Sequence, residues 1–188
     1  MVERLVEKRT AAQPGYDGVA KTLHWLILLL LIAQYAIAWT MPHIGRNTPA
    51  EGLVSLHFSI GITILAVALL RLLWRWTHPA PTLRGIVPAW QHGLAYASHV
   101  LLYLLLLVLP ILGWVDACFR GYSIDFFGLF TIPQLIASSP ALAGRTGDIH
   151  AFVGTVLLVV IGLHVLAALY HLIVRRDGVF SRMLPVQN

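Results

Sequence analysis

Four long apolar runs constrain this chain more than any other feature. They lie at about residues 23–41, 53–76, 93–115 and 149–174, and each is near or above the roughly 20 residues an α-helix needs to cross a bilayer. Lipid offers no partner to loose backbone groups, so each run is expected to be helical. Pro42, Pro79 and Pro88 fall in the connections, where punctuating residues belong. Pro110 falls inside the third run and predicts a kink there. The expected fold is an all-α membrane protein: a four-transmembrane-helix bundle, up-and-down, forming a single domain over residues 1–188.

Composition points the same way. The chain is 58% hydrophobic and only 11% charged, where soluble domains run roughly 25% charged. A water-soluble fold of 188 residues has too little interior to hide so much apolar surface. The net charge is +5, but the 13 lysines and arginines sit at the ends of the apolar runs. That placement suits a lipid membrane and its anionic headgroups, and no nucleic-acid partner is expected. Residues 1–18 are polar and show no cleavage site, so the first span is read as a retained anchor. Cys118 is the only cysteine, which excludes an intramolecular disulfide, an iron–sulfur cage and a CxxCH haem attachment.

The basic residues also set an orientation. Arg4, Lys8, Arg9, Lys21, Arg71, Arg75, Arg84, Arg175, Arg176 and Arg182 collect on one side, and Arg46, Arg120 and Arg145 on the other. Ten against three places both termini and the middle loop in the cytoplasm. Two loops then face outward, about 42–52 and 116–148. The longer contains Phe126-Phe127-Gly128-Leu129-Phe130, read as an amphipathic cap in the membrane interface, with a functional lid as the rival reading. Trp25, Trp39, Trp74, Trp76, Trp90 and Trp114 cluster at the span boundaries, the aromatic belt of any such protein.

Nine histidines against eight acidic residues is an unusual ratio, and ionisable groups inside spans are costly and functional by default. His150 and His164 are fourteen residues apart, almost four helical turns. They share one face and stand about 21 Å apart along the axis, too far for one metal ion and suited to two stacked cofactors. A bis-histidine haem needs a facing imidazole for each. His57 matches His150 in depth. Gly61 and Gly154 each follow one of these histidines by four residues, where the missing side chain would clear a porphyrin plane; a small-residue helix contact is the competing explanation. For His164 the facing residue is His24 or His99. Depth alone slightly favours His99, and spacing does not decide. Arg71 and Arg75 close the second span, where they would pair with haem propionates or simply enforce topology. His171 follows His164 by seven residues near the cytoplasmic surface, a place for proton exchange with a quinone headgroup. His43, His78 and His92 lie at span ends or in connections and read as solvated or interfacial.

The ordered set of these residues resembles the bacterial cytochrome b561 family, in particular its small four-helix, quinone-linked members. The resemblance is carried by Thr22-Leu23-His24-Trp25, Leu56-His57-Phe58-Ser59-Ile60-Gly61 and Arg71-Leu72-Leu73-Trp74-Arg75. It continues through His99, Leu102-Tyr103, Leu109-Pro110-Ile111-Leu112-Gly113, Ile149-His150, Gly162-Leu163-His164 and Ala167-Ala168-Leu169-Tyr170-His171. It extends from about Tyr16 to Pro185. It implies two haem b groups with iron ligands matching His57/His150 on the outer side and His24/His164 on the inner side, which leaves His99 a quinone-side role. It implies a multi-pass protein of the bacterial inner membrane, with ubiquinone as electron partner. Some members are superoxide oxidases, so superoxide is an expected donor, and Arg46, Arg120 and Arg145 would draw in such an anion. Readings from other classes are a cytochrome b anchor for a dehydrogenase or hydrogenase subunit, a histidine-based metal or proton transporter, and a structural membrane protein.

Overall fold

The computed structural model describes residues 15–45, 48–82 and 87–184. Arg4, Lys8, Arg9, Arg46 and Arg84 lie outside the described residues, and so does Pro185. Four long helices are present: α1 Gly18–Thr40, α2 Leu53–Thr77, α3 Ala89–Phe119 and α4 Pro140–Tyr170. All four are long and apolar enough to span a membrane, which is the expected bundle.

Each boundary has a local cause. The Asp17 carboxylate caps α1 by accepting the Ala20 N–H at 2.9 Å, and the helix stops at Thr40, with Met41 extended ahead of Pro42. Gly52, at φ +54°, turns the chain into α2. Pro88 precedes α3, and Pro140 opens α4 where its missing N–H costs nothing. Gly121, at φ +80°, follows the end of α3.

The second half of the chain differs from the sequence expectation in where its helices end. The third helix runs from residue 89 to 119 rather than 93 to 115, and the fourth begins at 140 rather than 149. Asp116, Thr146 and Asp148, which break the hydropathy pattern, are thus helical. Between the helices, strands β1 Ile124–Phe126 and β2 Phe130–Ile132 pair antiparallel, with Ile124 opposite Ile132. The aromatic run therefore forms a β-hairpin. Phe127 and Gly128 both take positive φ at its turn, a conformation that periodicity does not report. The helix of α4 continues into a π-turn over His171–Arg175, followed by a 3₁₀ turn over Ser181–Met183.

Close backbone packing joins α1 to α2, α2 to α3, and α3 to α4. This is the neighbour order of an up-and-down bundle. The small core comprises Ile27 and Leu31 of α1, Ile60, Ile64, Val67 and Ala68 of α2, Leu106 of α3 and Leu157 of α4. Large apolar residues such as Leu29, Leu70, Leu104 and Leu163 are exposed, as lipid-facing positions should be. The helix α4 is not among the close backbone neighbours of α1 or α2; it meets them through side chains.

Candidate functional site

Histidines of the first three helices face those of α4. The rings of His57 (α2) and His150 (α4) have centroids 6.1 Å apart. Those of His24 (α1) and His164 (α4) are 6.3 Å apart, and His99 (α3) lies 5.4 Å from His164. An imidazole nitrogen bonds a metal at about 2 Å, so two rings on opposite sides of one metal have centroids about 6 Å apart. Both pairs thus sit at the separation of shared axial ligation. Among the described residues no three histidine, cysteine or acidic side chains converge on one ion position.

The surroundings of the His57–His150 pair fit a haem ligand set. The Nδ1 of His150 lies 3.1 Å from the Leu109 carbonyl oxygen. Donating from Nδ1 to a carbonyl fixes the tautomer and leaves Nε2 with the lone pair for iron. Among the described residues the buried Nδ1 of His57 has no partner, and a buried unpaired nitrogen is the sort of group that a metal or a rotated ring satisfies. Gln34 of α1 packs beside His57: its Nε2 donates to the His57 carbonyl at 3.0 Å and lies 3.3 Å from the ring Nε2. The Gln34 Oε1 is also buried and has no partner among the described residues.

Of the glycines singled out from sequence, Gly61 faces Gln34, whose Nε2 would be 3.4 Å from an added Cβ. Gly154 leaves room, with only Leu109 within 4.0 Å of an added Cβ, and its carbonyl accepts the Tyr35 hydroxyl at 2.7 Å. The glycine in tightest contact with a histidine is a different one. A Cβ on Gly113 would stand 2.9 Å from Cε1 and 3.2 Å from Nδ1 of His150. Gly113 lies one turn beyond Leu109, so the same stretch of α3 supplies both the acceptor and the clearance for that ring. Its sequence signal was the Leu-Pro-Ile-Leu-Gly run, read only as a kink and a likeness.

The arginines divide by role. Arg71 donates to the Ala20 carbonyl at 2.6 Å, and Arg75 lies over the Tyr16 ring with its guanidinium carbon 6.0 Å from the centroid. Both line a crevice with Tyr16, Trp74, His78 and Tyr103, at the end of the bundle that also holds His24 and the π-turn. We call this the basic end. His78 is exposed and stacks on Trp74 at 3.8 Å. At the same end the Ala20 amide, ahead of the Trp74 indole, holds the Asp17 carboxyl below its ordinary pKa.

The opposite, hairpin end is tied together by Arg120. Its Nε meets Asp116 at 2.7 Å, its Nη1 donates to Ile44, and its Nη2 donates to Ala143. The second Asp116 oxygen accepts from Thr146 at 2.7 Å. Arg120 is therefore spent on joining α3, α4 and the loop before α2, and the sequence reading of it as an anion attractor is corrected on that ground. Arg145 is exposed and keeps that capacity. Buried Ser59, two residues after His57, accepts from the Phe127 amide and donates to the Asp125 carbonyl, both at 3.1 Å, so the hairpin is docked directly on the helix that carries His57.

A helical membrane bundle with imidazoles facing each other across its interior defines a membrane cytochrome of the b type. Comparison with known proteins supplies the family: residues 15–186 match the family described as prokaryotic cytochrome b561. The chain is similar to the probable superoxide oxidase CybB of Yersinia pestis, 35% identical over 90% of this chain and 96% of that protein. It is also similar to cytochrome b561 homolog 2 of Escherichia coli (29%, 90% of each) and to cytochrome b562 of Cereibacter sphaeroides (27%, 92% of this chain and 96% of that one). This chain belongs to the prokaryotic cytochrome b561 family: a multi-pass bacterial membrane protein that binds haem b and transfers electrons.

Proposed function

We propose that the protein oxidises superoxide at its hairpin end and reduces ubiquinone at its basic end, across the bacterial inner membrane, as a single domain with both termini cytoplasmic. Two haem b groups are held, one by His57 and His150, the other by His24 and His164. The observation that carries this reading is the pair of ring separations, 6.1 and 6.3 Å, both close to the spacing of shared iron ligation. The name of the Yersinia relative, a probable superoxide oxidase, supports the choice of donor.

Bound haem would supply one-electron transfer between the two ends of the bundle. The chain's own residues do the rest. His150, held by the Leu109 carbonyl, presents a fixed nitrogen toward His57. Arg71 and Arg75 lie at the basic end, where propionate carboxylates would find them. Arg145 offers the exposed positive charge on the hairpin side. His99 and His171 stand on the quinone side, His99 beside His164 and His171 at the start of the π-turn that follows α4. Overall, two superoxide ions give up one electron each and leave as dioxygen, and one quinone takes both electrons and two protons to become quinol.

A reduced-minus-oxidised visible spectrum with pyridine haemochrome quantification tests the foundation, with two b haems per chain expected. A count of one removes one of the histidine pairs, and none overturns the cytochrome reading of this chain. Superoxide-driven reduction of a ubiquinone analogue then tests the donor. Reduction with quinol alone, and only in the presence of a dehydrogenase subunit, would favour the anchor role instead.

A further inference from the structure

The end of α4 carries a side-chain pair that the sequence does not announce. The Nδ1 of His171 is 2.7 Å from Asp177 Oδ2, and both side chains are mostly buried. The two residues are six apart. On an uninterrupted helix that offset places them about 120° apart around the axis and about 9 Å apart along it, so ordinary helical geometry does not bring them into contact. The chain achieves it by changing course: His171–Arg175 form a π-turn, closed by the Arg176 amide on the His171 carbonyl at 2.8 Å. Arg176 then takes a left-handed conformation at φ +50°, and Gly178 follows at φ +78°. A non-glycine residue held there is strained, and such strain clusters at functional positions.

The turn also fixes the carboxylate. Asp177 Oδ1 accepts the Val179 amide at 3.2 Å, and Arg175 Nε stands 3.6 Å from Oδ2. Burial works against the charge of Asp177, but the His171 and Val179 hydrogen bonds outweigh it, and its pKa lies below the ordinary 3.8. Beside the pair is an open cleft of about 230 Å³ lined by His171, Leu172, Arg176, Gly178, Phe180 and Ser181. Its walls are an imidazole, a guanidinium, an aromatic ring and aliphatic surface. That chemistry suits a flat, lipid-soluble headgroup whose oxygens must be protonated.

We propose that His171 and Asp177 form a proton-delivery pair for a quinone headgroup seated in this cleft, with His171 the proton donor and Asp177 the residue that positions it. This rests on the quinone reading above. A carboxylate on Nδ1 holds that nitrogen's proton in place, so exchange takes place at Nε2. Among the described residues Nε2 has no hydrogen-bond partner. For each quinone, two electrons arrive by the protein's electron transfer and two protons are consumed, turning two C=O groups into C–OH. His171 passes a proton from Nε2 to a quinone oxygen, keeps its Nδ1–H on Asp177, and recovers the proton from water on that side.

The test uses the full-length, haem-loaded protein, pre-reduced with dithionite and mixed with a short-chain ubiquinone analogue while haem reoxidation is followed. In Asp177→Asn the amide can donate to Nδ1 and leave His171 in the wrong tautomer. Reoxidation should slow at least about tenfold, with a solvent deuterium effect larger than in the wild type. Binding of the analogue, read separately by tryptophan quenching, and the haem spectrum should be unchanged, and Asp177→Glu should recover most of the rate. Wild-type reoxidation speed in Asp177→Asn overturns the pair. So does a loss of analogue binding that fully explains the slower rate, because Asp177 would then only shape the cleft. A wild-type protein that the analogue cannot reoxidise overturns the quinone reading itself, and the proton relay falls with it.

Discussion

Gly113 gives the sharpest test of the hairpin-end haem site. In Gly113→Ala the new methyl would sit 2.9 Å from Cε1 of His150, and a normal carbon contact is about 3.5 Å. The ring must retreat by roughly 0.6 Å to restore it. Its Nδ1 contact to the Leu109 carbonyl, now 3.1 Å, then approaches the limit of a hydrogen bond. Losing an outer support of this kind typically costs 10–100-fold in metal affinity, or about 1.4–2.8 kcal/mol. Against that, alanine in place of glycine favours a helix by about 0.8–1.0 kcal/mol, so overall stability should change little. The damage should stay with one haem. Pyridine haemochrome quantification after competition with apomyoglobin, together with redox titration, should show one b haem weakened or shifted in potential and the other intact. Two unaffected haems would refute the argument that Gly113 makes room for a ligand. Loss of both would mean that the substitution acts on the whole bundle.

Further outcomes follow from other contacts. Gly154→Ala meets only Leu109 at 4.0 Å, so the protein alone should tolerate it; reduced haem retention in this variant would place a porphyrin edge against that face of α4. Arg120→Ala leaves partly buried Asp116 without its cation and should lower stability by on the order of 3 kcal/mol in detergent thermal unfolding. Arg145→Ala should stay within about 0.5 kcal/mol and lower only the superoxide-dependent rate. At the basic end the depressed pKa of Asp177 means that its stabilising contacts are complete above the unfolded value of 3.8 and fade as pH falls through the lower folded value. Hydrogen exchange at the Val179 amide should accelerate over that acidic range and stay constant above it.

The spans and the histidine ladder of α4 are legible in the sequence because both depend on simple periods. Twenty apolar residues must cross, and fourteen residues on a helix return to the same face, so His150 and His164 stand out as a ladder from their spacing alone. What is hidden depends on backbone departures. The loop from 116 to 148 reads as non-helical because Asp116, Arg120, Arg145 and Asp148 interrupt its hydropathy, yet the first two neutralise each other at 2.7 Å and let the helix run on. The Phe126–Phe130 hairpin turns on a positive φ at Phe127, a residue type that gives no such warning. Asp177 escapes notice because helical spacing separates it from His171, and only the π-turn brings them together. The glycine rule applied to Gly61 and Gly154 looks along one helix, whereas Gly113 clears His150 from the neighbouring one.

The choice between His24 and His99 shows how the two ends of the bundle differ. At the hairpin end one histidine faces another, and Gln34, the Leu109 carbonyl and Gly113 surround them. Arg120 and Ser59 hold that end closed by bonds to backbone groups. A small anion arriving there needs a haem edge and a positive charge, and no chamber. At the basic end three histidines gather, with His164 5.4 Å from His99 and 6.3 Å from His24. If His24 supplies the second ligand, as the family pairing implies, His99 is left as a polar group beside the haem, on the side where α4 unwinds into a cleft. A bulky quinone that takes up protons needs such an opening, together with ionisable groups that are not bound to iron. The surplus histidine and the strained turn occur at the same end of the molecule, as that division of labour requires. Replacing His99 by Leu should therefore preserve both haem bands and slow reoxidation by a quinone analogue, whereas replacing His24 should abolish one band.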